Sequence, residues 1–170
     1  MNILIVVDMQ VDFTYGSLRN EQAIEIIPKI AEKVANFPGT VLYTRDTHPD
    51  NYLQTQEGRL LPVTHCVRGT PGWEIVDALP TAGCRIFDKP SFGSRALAEA
   101  LAEQNAKQPI ASIELVGVCT DICVISNAVL LKAFLPEVPI CVDSRCCAGV
   151  TPESHENALN AMKMLQIEVK

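Results

Sequence analysis

Apolar residues fall along this chain in short unbroken runs, separated by stretches with helical spacing. Ile3–Val7, Thr40–Thr44, Cys84–Phe87, Ile113–Gly117, Pro139–Val142 and Ile167–Val169 have the length of strands. Most are continuously apolar rather than alternating, which suits strands covered on both faces. Between them, Glu21–Asn36, Ser94–Gln104, Asp121–Phe134 and Pro152–Met164 read as helices. The last has a marked start: Thr151 can cap it, and Pro152 takes the first helical position, where a missing N–H costs nothing. Pro28 interrupts the first helical pattern and predicts a kink or restart. The alternation predicts an α/β fold: one domain over residues 1–170, with a central parallel sheet between two helical layers, α/β/α.

Arg45–Trp73 breaks the pattern, being long, polar and rich in His, Pro and Gly. A loop of that length in a compact domain is usually functional. It leaves the carboxyl end of a strand, where ligands bind in doubly wound sheets.

Composition narrows the classes. Nearly half of the 170 residues are apolar, which argues against disorder. No apolar run approaches the roughly 20 residues that span a bilayer, and "MNILIVVDMQ" reads as a buried strand rather than a signal peptide. No membrane partner is expected. The net charge of −6 and the lack of a basic cluster argue against a nucleic-acid partner. Seven irregularly spaced cysteines do not form a disulfide framework, so a reducing cytoplasm is the expected compartment.

Four places could carry chemistry. Asp8 follows the apolar run Ile3–Val7, with Gln10 and Asp12 close behind; a turn or cap is the competing reading, and for Asp12 the preferred one. Lys89 closes another strand just before Pro90, although most lysines are simply solvated. In "VGVCTDICV", Cys119 lies in the turn after a strand and Cys123 in the first helical turn, where the helix dipole favours thiolate. Both could instead be small core fillers, and no second pair follows to complete a structural zinc site. Asp46 and His48 lie on one side of an extended stretch, and His65 could close a ligand set suited to zinc, iron or manganese; loop hydrogen bonding is the alternative.

Together, "VVDMQVDF", "RDTH", "HCVRGTPGWE", "DKPSFGS" and "GVCTDICV" resemble the isochorismatase-like cysteine hydrolases, and among them the nicotinamidases most. The likeness runs in order from residue 3 to about residue 155. It implies an isochorismatase-like fold with Rossmann-like topology and an Asp8–Lys89–Cys123 triad. It also implies a cis peptide at Val118–Cys119 and an oxyanion hole from the Cys119 and Cys123 N–H groups. Phe13 and Gln10 would border the substrate, and Asp46, His48 and His65 would hold a divalent metal, zinc first, with manganese or iron as alternatives. Trp73 is expected to pack rather than react. The implied reaction is hydrolysis of a small carboxamide, nicotinamide first, through a thioester, by a homo-oligomer of two or more copies.

The sequence departs from the pattern in two respects, the first being that the chain is short beside many nicotinamidases, so a reduced lid over the site is expected. A further His that many nicotinamidases carry after the Asp-x-His motif is missing from "PDNYLQT". Glu57, eight residues before His65, is the candidate for that ligand position, against the reading of a solvated loop Glu. Carbamoyl or ureido hydrolysis, an isochorismatase-like reaction, and a redox-responsive Cys119–Cys123 thiol pair are the alternative functions.

Overall fold

A computed structural model describes residues 1–170. Six strands form one all-parallel sheet in the order β3-β2-β1-β4-β5-β6: β1 (Asn2–Val7), β2 (Thr40–Asp46), β3 (Arg85–Lys89), β4 (Ser112–Val118), β5 (Ile140–Ala148) and β6 (Glu168–Val169). The helices are α1 (Val11–Thr14), α2 (Glu21–Asn36), α3 (Gln56–Leu60), α4 (Arg95–Lys107), α5 (Ile125–Phe134) and α6 (Pro152–Met164). None is long and apolar enough to cross a membrane.

The strand order dictates the layers. The chain steps one way from β1 to β3, then crosses back and steps the other way from β4 to β6. Right-handed crossovers put the two sets of helices on opposite faces. Accordingly, Ile3, Ile5 and Val7 of β1 pack in one core cluster with Leu97 and Leu101 of α4, Leu131 of α5 and Leu159 of α6. Leu4 and Val6 pack in the other with Ala23, Ile26 and Ile30 of α2, backed by Ile75, Val76 and Leu79. β1 pairs with both β2 and β4, so the order reverses beside it, and its carboxyl end opens onto the crevice where such sheets bind ligands.

Several boundaries differ from the sequence pattern for identifiable reasons. β3 runs on through Lys89, because Asp46 and Lys89 pair in its register with β2. β5 continues past Val142 through polar Asp143–Arg145, and the pairing with β4 jumps from Leu115–Val142 to Gly117–Cys147. Asp143 is buried there because Lys33 of α2 meets it at 2.9 Å. Pro28 neither stops nor restarts α2; it sits exposed on the outer face, where water can take the carbonyl its ring leaves unpaired. The helix expected from Asp121 instead opens with a widened π-type turn, Thr120–Val124, before α5 begins.

Candidate active site

Four strand ends meet over the crevice. Asp8 follows β1 with φ at +49°, in the left-handed region that, apart from Gly, mainly Asn, Asp and His enter. It is fully buried. The Thr44 hydroxyl, at the level of Val7 on β2, donates to its Oδ1 at 2.7 Å. Gly117 of β4, paired with Val7, has φ at +115°, and a side chain there would collide with the Val7 backbone. That close approach brings the turn after β4 up against Asp8.

Lys89 ends β3 and is buried, its ammonium reaching three acidic groups. Its Nζ lies 2.6 Å from Asp8 Oδ2, 3.4 Å from Asp46 Oδ1 and 3.4 Å from Cys123 Sγ, and donates to the Ser91 carbonyl at 3.1 Å. Burial works against its charge, but Asp8, Cys123 and Asp46 outweigh it and hold the lysine protonated. The contact with Asp8 is charge against charge: Oδ2 accepts no well-directed hydrogen bond, which leaves it open to a proton. Burial raises the Asp8 carboxyl above its ordinary range, against the pull of Lys89.

Cys123 is buried at the end of the crevice. The helix start was expected to favour thiolate; the structure reverses this. Burial first, then the Asp8 charge, push the thiol well above its ordinary range, and Lys89 only opposes them. Burial thus holds the Cys123 thiol toward its neutral form, next to the Asp8 carboxyl. Burial also pushes Cys119 up to about 12, and all seven cysteines are free. The Val118–Cys119 peptide is cis. The Cys119 carbonyl accepts from Ile122 and Val124, while its own N–H has no partner within the protein.

Asp46, His48, Glu57 and His65 converge next to this group, with one ligand atom from each lying within 4.8 Å of all the others. Asp46 Oδ2 is 2.9 Å from His48 Nε2 and 3.6 Å from His65 Nε2; Glu57 Oε1 is 3.6 and 3.9 Å from the same nitrogens. Donors on metal bonds of about 2.1 Å in a tetrahedron lie about 3.4 Å apart, so the set fits a zinc-sized divalent cation. The Val63 carbonyl meets His65 Nδ1 at 2.7 Å, which places the proton there and turns the Nε2 lone pair toward the cluster. Burial disfavours charge on His65, yet Asp46, the Val63 carbonyl and Glu57 raise its pKa, so the cluster favours a positive charge at this point. Burial would also raise Asp46, but the His48 contact at 2.9 Å, the neighbouring His65 and the Lys89 charge hold it well below the carboxylate range.

A cavity of about 850 Å³ lies above both groups, lined by Phe13, Asp46, Glu57, His65, Cys119 and Cys123 among others. Phe13 faces His65 with ring centroids 5.7 Å apart, where a substrate-contact residue was expected. Gln10 is not in the lining and needs correction. Its fully buried amide donates to the Asp46 and Trp73 carbonyls at 2.9 and 2.8 Å and accepts from the Asp46 N–H at 2.7 Å. With every polar atom engaged by backbone, it holds the end of β2 and cannot meet substrate. Trp73 packs as expected, under the Arg45 guanidinium at 3.3 Å, with its N–H on Thr47.

Some supporting residues gave no clear signal in the sequence. Thr44 is one of many strand threonines. Tyr52 stands against His48 and His65, with centroids 4.6 and 4.9 Å away. Asp12, read as a cap or surface group, accepts from the Cys66 N–H at 2.7 Å and so fixes the loop that presents His65.

The comparisons with known proteins agree with the fold. An isochorismatase domain model matches residues 2–169. The nicotinamidase of Schizosaccharomyces pombe is 29% identical, covering 98% of this chain and 91% of its own length. The structure of a Pyrococcus horikoshii pyrazinamidase in complex with zinc superposes with a TM-score of 0.85 at 31% identity, over 99% of this chain and 98% of that one. A nicotinamidase/pyrazinamidase from Bacillus subtilis gives 0.80 at 27% identity, over 99% and 98%.

Proposed function

The chain belongs to the isochorismatase domain family and is a hydrolase of non-peptide C–N bonds; we propose that it hydrolyses a small aromatic carboxamide, nicotinamide first, to the acid and ammonia. The observation that carries this reading is Lys89. One ammonium contacts Asp8, Cys123 and Asp46, and so joins a nucleophile and its base to a ligand cluster on one cavity wall.

Cys123 Sγ attacks the amide carbon, and the thiol proton passes to Asp8 Oδ2. The carbonyl oxygen takes on negative charge, which the N–H groups of Cys119 and Cys123 stabilise, a contribution typically worth about 3 kcal/mol. Asp8 returns the proton to the leaving nitrogen, the C–N bond breaks, ammonia departs and a thioester remains. Water then loses a proton to Asp8 and attacks the thioester, releasing the acid and restoring the thiol. Lys89 keeps its charge throughout and balances whichever of Asp8 or Cys123 is anionic.

Asp46, His48, Glu57 and His65 are the residues that would hold a divalent cation. When bound, it supplies a coordination position for a donor atom of the substrate ring, which fixes the carboxamide before Cys123.

Purified protein, stripped of metal and then loaded with zinc or manganese, is assayed for ammonia release from nicotinamide, pyrazinamide and carbamoyl or ureido compounds. Release from the two aromatic amides, lost on stripping and restored on loading, is the expected result. Turnover confined to the carbamoyl or ureido compounds would refute the substrate proposal.

A further inference from the structure

The turn that carries Cys123 has no side-chain cap of its own. Cys119 stands at its start and makes no capping hydrogen bond, and the turn is wound wider than an α-helix. Asn127 of α5 donates to the Cys123 carbonyl at 2.8 Å, and the start of the turn is held from the α6 side. Thr120, fully buried, places its hydroxyl 2.8 Å from His155 Nδ1 and has no other hydrogen-bond partner. The next residue, Asp121, accepts from the Val150 N–H at 3.1 and 3.3 Å.

His155 is itself held in place. α6 begins at Pro152 with a reciprocal cap between Thr151 and Ser154, and the His155 N–H bonds the Thr151 carbonyl at 3.0 Å. Gly149 lies against it, and a β-carbon there would come within 2.8 Å of His155 Cβ. The Gly149 carbonyl in turn accepts from Asn20 Nδ2 at 2.7 Å, tying the junction to the cap of α2 at the cavity rim. Neither Thr120 nor His155 lines the cavity.

We propose that His155 is a positioning residue for the nucleophile. Through the Thr120 hydroxyl it fixes the Thr120–Val124 turn, and with it the direction of Cys123 Sγ toward Asp8, Lys89 and the bound carbonyl. The proposal rests on Cys123 being the nucleophile. Misplacing a reacting atom by about 1 Å can cost about 100-fold in rate, whereas a residue outside the cavity should leave ground-state binding alone.

The test compares His155→Leu, His155→Asn, Thr120→Val and Thr120→Ser with wild type, with Cys123→Ala as the control for the underlying reading. The measurements are kcat, KM, thermal midpoint and the iodoacetamide labelling rate of Cys123 by peptide mapping. An Asn amide reaches the place of Nδ1, so His155→Asn should keep most activity, as should Thr120→Ser. His155→Leu and Thr120→Val should each lower kcat about 10- to 100-fold with KM within about twofold, and slow labelling in parallel. The His155→Leu/Thr120→Val double variant should lose little more than either single one, because both remove the same bond. Unchanged kcat and labelling in Thr120→Val overturns the proposal, and so does equal loss in His155→Asn and His155→Leu. If His155→Leu does not fold, the Thr120→Val and Thr120→Ser pair decides alone. Retained activity in Cys123→Ala instead removes the nucleophile reading, a failure distinct from that of His155.

Discussion

Replacing Lys89 with Met removes the one cation among three acidic groups. The ammonium sits 2.6 Å from Asp8 and 3.4 Å from both Asp46 and Cys123, with its side chain fully buried. Asp46 keeps His48 at 2.9 Å, but Asp8 keeps only the Thr44 hydroxyl. Breaking a buried ion pair from one side costs about 3–5 kcal/mol while the orphaned charge remains. Asp8 escapes part of that cost by binding a proton, so the loss depends on pH. A carboxyl whose pKa is raised on folding contributes stability that is fully present below its unfolded pKa of about 3.9 and is lost as the pH rises through the folded value. While Asp8 of the variant stays protonated, each pH unit costs about 1.36 kcal/mol. Lys89→Met should therefore fall behind wild type by up to about 2.7 kcal/mol more at pH 7 than at pH 5, and by less to the extent that burial already raises Asp8 in the wild type.

Urea unfolding at the two pH values measures this directly. Adding Asp8→Asn to Lys89→Met removes the orphaned acid and should recover most of the stability at pH 7, while activity stays about 10²- to 10⁴-fold down because no base remains. A stability loss equal at both pH values, or a double variant no more stable than Lys89→Met, would show that the Lys89–Asp8 pair does not govern the site.

Cys123→Ala should abolish hydrolysis and Cys119→Ala keep most of it, with iodoacetamide labelling Cys123 first; preferential labelling of Cys119 would contradict the assignment. Glu57→Ala should reduce bound zinc or manganese, measured by elemental analysis after loading and dialysis, nearly as much as His65→Ala, and unchanged content would remove Glu57 from the ligand set. With Asp8 as the proposed base, acting ionised and raised by burial, kcat/KM should fall as the pH drops through a value above the ordinary carboxylate range. Thr44→Val, which deletes a hydrogen bond favouring the ionised form, should move that limb to higher pH, and an unmoved limb would assign it to another group.

The sheet was legible in the sequence because buried parallel strands are continuously apolar, as Ile3–Val7 and Ile113–Gly117 are. The pattern failed where polar residues are buried by pairing at a distance. Asp143 looked like the end of β5, yet Lys33, 110 positions earlier in the chain, keeps it inside. Strand ends located Asp8, Asp46 and Lys89, and the family likeness gave them roles. Gln10 was misjudged because spacing places it close to Asp8 but cannot show that its amide is consumed by the Asp46 and Trp73 backbone. Spacing also cannot register desolvation. Cys123 sits where a helix dipole lowers a thiol pKa, and burial beside Asp8 reverses the sign.

Asp46 shows why the proposed ligand cluster and triad stand together. Its Oδ1 faces Lys89 and its Oδ2 faces His48 and His65, so one carboxylate borders both. Around it, three acids, Asp8, Asp46 and Glu57, meet a single permanent cation, Lys89. Buried charge is tolerated only when balanced, and a deficit of two positive charges matches a divalent ion. His65 is raised by Asp46, the Val63 carbonyl and Glu57 against the effect of burial, while Glu57 is raised chiefly by burial, with Asp46 adding to it. Two His side chains and a carboxylate can be found on many folds without a metal. Here three acids share one lysine, and Asp46 ties the proposed ligand cluster to the lysine beside Cys123.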